Sequence, residues 1–359
     1  MKIPRLLHTL SAFALIGLTT LGLDAADAPK AAPADLTKPV QVFIMLGQSN
    51  MVGLGKVTGP DGSLEFAVKT KKKYPHLIDA AGNWIERPDV RFVRVMVGRG
   101  GDMQLFNNEF LKVGGKTMGP EYGIGHPLGD AVEAPVMLLK SCIGNRSLGW
   151  DLLPPGSERY VFDGKVYAGY KDRPDSWPVD AAKGTATVPA PWVDKAGKPI
   201  DWYAGKQYDD DIANAKKVLT ELGKFYPGAT KYEIAGFFFW QGEKDGGNAG
   251  HAAKYEENLV RFIKYLRKDF NAPTAKFVLA TLGEATKGSS GNGGKVLEAQ
   301  LAVDGTSGKY PEFKGNVATV YANPLSKGGS GNSHYNGNAE TYMEVGEAMG
   351  KAMADLLKK

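Results

Sequence analysis

The sequence predicts an α/β protein built on a parallel sheet that is buried on both faces. Three observations carry this. Five short, β-rich apolar runs recur along the 359 residues, each followed by Gly, Asn, Ser or Pro. Near-continuous apolar strands of this kind suit a sheet covered on both sides. Segments with helical spacing lie between or after the runs, and strand alternating with helix argues for right-handed βαβ units.

The elements follow in order. Residues 1–25 hold Lys2 and Arg5, then an apolar region, then small residues, the pattern of a secretory signal with cleavage near Ala25 or Ala26. A membrane anchor is the alternative, but the apolar run is short and contains Thr19, Thr20 and Gly22. Export to the periplasm or the exterior is expected, with no membrane attachment after signal removal. Residues 26–38 are rich in Ala and Pro and read as a flexible leader. The folded domain is expected at 39–359, with no internal repeat and no clear linker. Its five strand candidates are VQVFIML (40–46), PVMLLKS (135–141), IAGFFFWQ (234–241), KFVLATLG (276–283) and NVATVYA (316–322). VRFVRVMV (90–97) reads as an extra strand inside the long first connection. Glu121 is expected to open a helix, which makes Gly119 structural. Ile212, Ala215, Val218, Leu219 and Leu222 share one helical stripe, and Tyr255, Leu259, Phe262 and Leu266 share another. The C-terminal AETYMEVGEAMGKAMADLLKK ends in lysines, which suits a helix dipole. Residues 151–207 have no helical period but hold many aromatics, an insertion expected to be ordered yet irregular. GSSGNGGK (288–295) reads as a flexible loop.

Composition narrows the function. The formal net charge of +5 comes from lysines spread along the chain, which gives no positive sign of nucleic-acid binding. The single cysteine, Cys142, rules out a disulfide within one chain and reads as a small buried hydrophobe. There is no Cys/His cluster, no zinc-protease helix motif and no phosphate-cradling loop.

In an open parallel sheet, ligands sit at the carboxyl ends of the strands. After the first run comes Gly47-Gln48-Ser49-Asn50, after the second Cys142 to Ser147, after the third Trp240-Gln241-Gly242-Glu243-Lys244-Asp245, and after the fifth a Gly/Ser/Asn loop with His334. Together these hold the parts of an acyl-transfer site. Ser49 needs a base, and of His76, His126, His251 and His334 only His334 lies in a turn after a core strand near the chain end. The imidazole needs its other nitrogen held, normally by a carboxylate. The N–H groups of Ser49 and Gly144 and the amide of Gln241 are candidate oxyanion donors, each worth ~2.7–4 kcal/mol. Asn50, Arg146 and Trp150 are candidate substrate contacts, Trp150 because a flat ring suits a pyranose face.

Gly-Gln-Ser-Asn-Met after the first strand, Trp-Gln-Gly-Glu-x-Asp after a later one and a terminal His resemble the sialate O-acetylesterase-type, carbohydrate acetylesterase branch of the SGNH hydrolases. The resemblance spans the order of elements from about Pro39 onward. It implies a flavodoxin-like, three-layer αβα sandwich with a five-stranded parallel sheet, no metal or other cofactor, and hydrolysis of acetyl esters on sugars. By motif Ser49 matches the nucleophile and Gln241 the oxyanion amide. Gly144 stands in the second block, where the family usually shows Gly-Gly-Thr and this chain shows Gly-Asn-Arg. A second departure concerns the histidine. Relatives commonly carry Asp three residues before it, where this chain has Gly331. Glu243 is the preferred acid for His334, with Asp245 second; a dyad held by Asn332 or a backbone carbonyl is the alternative. The expected protein is a secreted serine esterase acting on acetylated polysaccharide or sialic acid. A lipase or thioesterase of the same superfamily is the enzymatic alternative. A sugar-binding relative without a working triad is the other, kept open by the missing Asp. The residues leave the oligomeric state open.

Overall fold

Seven strands form the central sheet of the computed structural model, which describes residues 32–98, 101–329 and 334–359. The expected signal segment, the first part of the leader, Gly331 and Asn332 lie outside the described residues. The strands are β1 (Val40–Gly47), β2 (Glu86–Val97), β3 (Met103–Lys112), β4 (Val136–Ser141), β5 (Tyr232–Trp240), β6 (Lys276–Ala280) and β7 (Val317–Val320). Their order is β7-β6-β5-β1-β4-β2-β3. All neighbours are parallel except β3, which folds back antiparallel on β2.

All five apolar runs are strands of this sheet, and VRFVRVMV is part of β2. The expected count of five is therefore corrected to seven. The sequence hides β3 because MQLFNNEFLK is an edge strand, with Leu105 and Phe106 exposed among Asn, Gln and Glu. An edge strand needs no continuous apolar run, since only part of it faces the core.

Side chains along β1 alternate between two cores, as the two-residue period of a strand requires. Val42, Ile44 and Leu46 pack with α2 (Lys206–Thr220), α3 (Ala249–Asp269) and α4 (Gly291–Ala302). Phe43 and Met45 pack with α1 (Glu121–Ala131) and α5 (Ala339–Leu357). Helices therefore cover both faces, giving a three-layer αβα sandwich. Asn248 caps α3 and Asn338 caps α5, each accepting two backbone N–H groups through its side chain. α4 begins inside the segment read as a flexible Gly/Ser loop. Its glycines obscure the helix, but Val296 and Ala299 beyond them are buried in the first core.

The insertion holds a small antiparallel sheet, Tyr160–Phe162, Lys165–Tyr167 and Ser176–Pro178. Trp150, Leu153, Val166, Ala168, Trp177 and Ala204 form a core of its own. Cys142 is buried, and burial pushes its thiol up to about 12.

Candidate active site

The carboxyl ends of β1, β4, β5 and β6 and the loop after β7 meet on one edge of the sheet. β1 ends at Gly47, whose φ of 145° is open to glycine, and a Cβ there would lie 2.3 Å from the Trp240 carbonyl oxygen. This close approach lets the Gln48 N–H donate to that carbonyl at 3.3 Å. The chain then makes a single helical turn, Ser49–Val52, with Ser49 first. Beneath the turn, the Lys140 ammonium, 0% exposed, donates to Glu121 at 2.5 Å and to the Val52 carbonyl at 3.3 Å. Gly119 donates its N–H to Glu121, which accords with the structural part expected of it.

His334 Nε2 lies 2.7 Å from Ser49 Oγ. His334, Tyr335 and Asn336 all have positive φ, at 47°, 58° and 53°. Such conformations cost roughly 1–3 kcal/mol each and persist only where the surroundings over-determine them. The surroundings are specific. The Tyr335 ring is buried and stacks on Trp240 with ring centroids 6.1 Å apart. The base of the loop is closed by reciprocal bonds, Lys327 N–H to Thr341 Oγ1 at 2.7 Å and Thr341 Oγ1 to the Lys327 carbonyl at 2.9 Å. Glu340 accepts from Lys71, Lys73 and Lys327. Burial works upward on this carboxyl, but the three lysines hold it down at about 2.

The carboxylates fall elsewhere than expected. Glu243 accepts from the side-chain amides of Gln48 and Asn50, one oxygen each. Among the described residues, no carboxylate is hydrogen-bonded to His334. Glu243 thus braces the two neighbours of Ser49 instead of the histidine. Burial, with the charge of Glu284 beside it, pushes Glu243 up to about 7. Asp245 is also occupied: it accepts the N–H groups of Leu148 and Gly149 at 2.8 and 2.7 Å and the Gln241 amide at 2.6 Å. It pins the loop after β4, the loop that carries Gly144.

Gln241 cannot serve as the expected oxyanion donor in this arrangement. Its Nε2 donates to the Arg146 carbonyl at 2.9 Å and to Asp245, and its Oε1 accepts from Tyr255. Both of its donor hydrogens are spoken for inside the protein. Gly144 does reach the site. A Cβ built on it would lie 3.6 Å from Ser49 Cβ.

A cavity of about 900 Å³ opens over these groups, lined by Gln48, Ser49, Asn50, Gly144, Asn145, Glu243, Lys244, Glu284 and His334 among others. Arg146 and Trp150 are not among its lining residues. The Arg146 guanidinium stacks 4.4 Å from the Trp202 ring centroid and lies 3.6 Å from Asp151. Trp150 is 8% exposed in the insertion core, edge-on to Trp192. Two cavity residues, Asn145 and Glu284, were not anticipated from sequence. Asn145 follows Gly144 directly, and Glu284 lies just beyond the fourth apolar run, in a turn whose only visible signal was its place after a strand. The other histidines among the described residues do not line the cavity: His251 bonds Asp175 at 2.8 Å, and His76 packs on His126.

Residues 179–355 match the family described as SASA: Carbohydrate esterase, sialic acid-specific acetylesterase. That span holds Gln241, Glu243 and His334, while Ser49 and Gly144 precede it and reach the cavity through the fold. No curated protein matches the chain. Among solved structures, a protein from Arabidopsis thaliana is similar at 18% identity with a TM-score of 0.48, over 88% of this chain and 98% of that one. A carbohydrate acetylesterase from Xanthomonas citri is similar at 15% identity and a TM-score of 0.44, over 86% of this chain and 54% of that one. NanS is similar at 13% identity and a TM-score of 0.38, over 79% and 78%. The family match takes in β5 to β7 and His334, so it is the C-terminal part of this chain that is similar to the SASA family of carbohydrate esterases.

Proposed function

We propose that the chain is a serine esterase that removes O-acetyl groups from carbohydrate through an acetyl-enzyme. The observation that carries this reading is the 2.7 Å approach of Ser49 Oγ and His334 Nε2 at the cavity. That distance lies within the ~2.6–3.2 Å reach of general-base catalysis. Ser49 Oγ attacks the acetyl carbonyl carbon as its proton passes to His334 Nε2. The oxyanion then faces the N–H groups of Ser49 and Gly144. When the intermediate collapses, the bond from acyl carbon to sugar oxygen breaks and His334 returns its proton to that oxygen. Water then attacks the acetyl-serine with His334 again as base, releasing acetate and restoring Ser49. The imidazole works without a described carboxylate partner, so the reading is a dyad whose histidine is held by its own loop. The signal-like residues 1–25 support an exported enzyme.

The test is acetate release from a small aryl acetate and from O-acetylated sugars. Ser49→Ala is expected to lower turnover by at least ~10³-fold. Full activity in that variant would overturn the proposal. A sugar binder without esterase activity would bind glycan yet resist labelling by a serine-directed phosphonate. A lipase or thioesterase would prefer long acyl chains to acetyl.

A further inference from the structure

The walls of the cavity bear on the sugar as well as on the acetyl group; this inference rests on the esterase reading above. Glu243 follows β5 and Glu284 follows β6, so two adjacent strands bring two carboxylates to the cavity that holds Ser49 and His334. They are close enough for the charge of Glu284 to act on Glu243. Gln48, 3% exposed, lines the same cavity. Its Nε2 is taken by Glu243, and its buried Oε1 has no partner among the described residues. Among the described lining residues Lys244 is the only cation, and it is exposed to solvent.

Recognition of a sugar carboxylate calls for a positioned cation or a fork of donors. This cavity presents the carboxyl groups of Glu243 and Glu284 instead. Hydroxyl and ammonium groups satisfy such walls, whereas a carboxylate meets like charge, which suppresses binding of the wrong partner. We infer that the site selects O-acetylated sugars that bring hydroxyl or ammonium donors and no carboxylate, and that Glu284 sets this selectivity. The inference runs against the sialic acid named in the family description.

The experiment uses the methyl glycoside of an O-acetylated sialic acid and the same compound with its carboxyl group masked as a methyl ester. The two differ in one charge. Hydrolysis of an aryl acetate is measured alongside as a readout of the Ser49–His334 chemistry alone. The masked compound is expected to be the better substrate by ~10-fold or more in kcat/KM at low ionic strength. The ratio should narrow in Glu284→Gln, and also on adding salt to the unaltered enzyme, which involves no variant. Equal rates on the two glycosides, with aryl acetate hydrolysed, would overturn the selectivity and leave the esterase reading standing. A ratio that neither salt nor Glu284→Gln moves would remove Glu284 from the explanation and overturn the inference. A protein inert on all three compounds would overturn the esterase reading and this inference with it.

Discussion

Ser49 owes its position to its two neighbours in sequence, and they owe theirs to Glu243. One carboxylate takes both the Gln48 and the Asn50 amide, so Ser49 is braced on either side. Glu243→Gln leaves one oxygen and sets an amide against one of those two donors. Losing a hydrogen bond to a charged group costs about 1.5–3 kcal/mol. We expect kcat to fall by ~10–100-fold while KM moves far less, since the defect lies in placing Ser49. Steady-state kinetics on an aryl acetate would show this, and a KM effect with kcat intact would contradict it. The residue types of this site were legible in the sequence, because acyl transfer needs a nucleophile and a base at strand ends. Their partners were not. Gln241 reads as a free amide until the fold sets the Arg146 carbonyl and Asp245 against it. Glu243 reads as the partner of His334 because only distances in space separate that reading from the observed one.

At the scale of elements, the loop after β7 is held at its base by α5. Thr341 and Glu340, in the first turn of that helix, both bind Lys327 at the start of the loop. The Glu340 carboxyl sits at about 2, below its ordinary 4.5. Its stabilising effect is therefore complete above about pH 4.5 and fades as the pH falls toward 2. The lysines are more than a third exposed, so solvent screening keeps the stabilisation to about 1 kcal/mol. Glu340→Gln should lower stability by that amount at neutral pH, with the difference vanishing near pH 2. It should also lower kcat several-fold with little change in KM, as His334 loses a fixed loop. Urea titrations at two pH values with parallel kinetics would check both. Elements differed in how plainly they read. The five apolar runs announced themselves because both faces of those strands are covered. β3 did not, since an edge strand is only partly buried and needs no continuous apolar run, and α4 did not, since three glycines stand in its first turn.

For the whole molecule, the strand order explains why distant segments share one cavity. The chain runs from β1 to one side through β2, β3 and β4, then to the other through β5, β6 and β7, so loops from both halves converge over the end of β1. Packing at that density carries its own costs. Asp211 on α2 is fully buried, with Ser141 Oγ and Gln207 Nε2 donating to one oxygen and no described partner for the other. Burial pushes it up to about 8 from an ordinary 3.8. Well below pH 3.8 it is neutral whether folded or unfolded, and the penalty for ionising it grows as the pH rises through 3.8 toward 8. Asp211→Asn should therefore stabilise the protein by about 1–3 kcal/mol near pH 8 and by much less near pH 5, measured by denaturant unfolding. An equal gain at both values would show that ionisation is not what it relieves. The pairing of Ser49 with His334 has one more consequence. The two are 285 residues apart, one in the turn after the first strand and the other beyond the last strand. A growing chain therefore carries Ser49 and the residues of all seven strands before it carries His334. A chain cut short before the final loop and helix would lack His334 and, with it, the helix that covers Phe43 and Met45 on one face of the sheet.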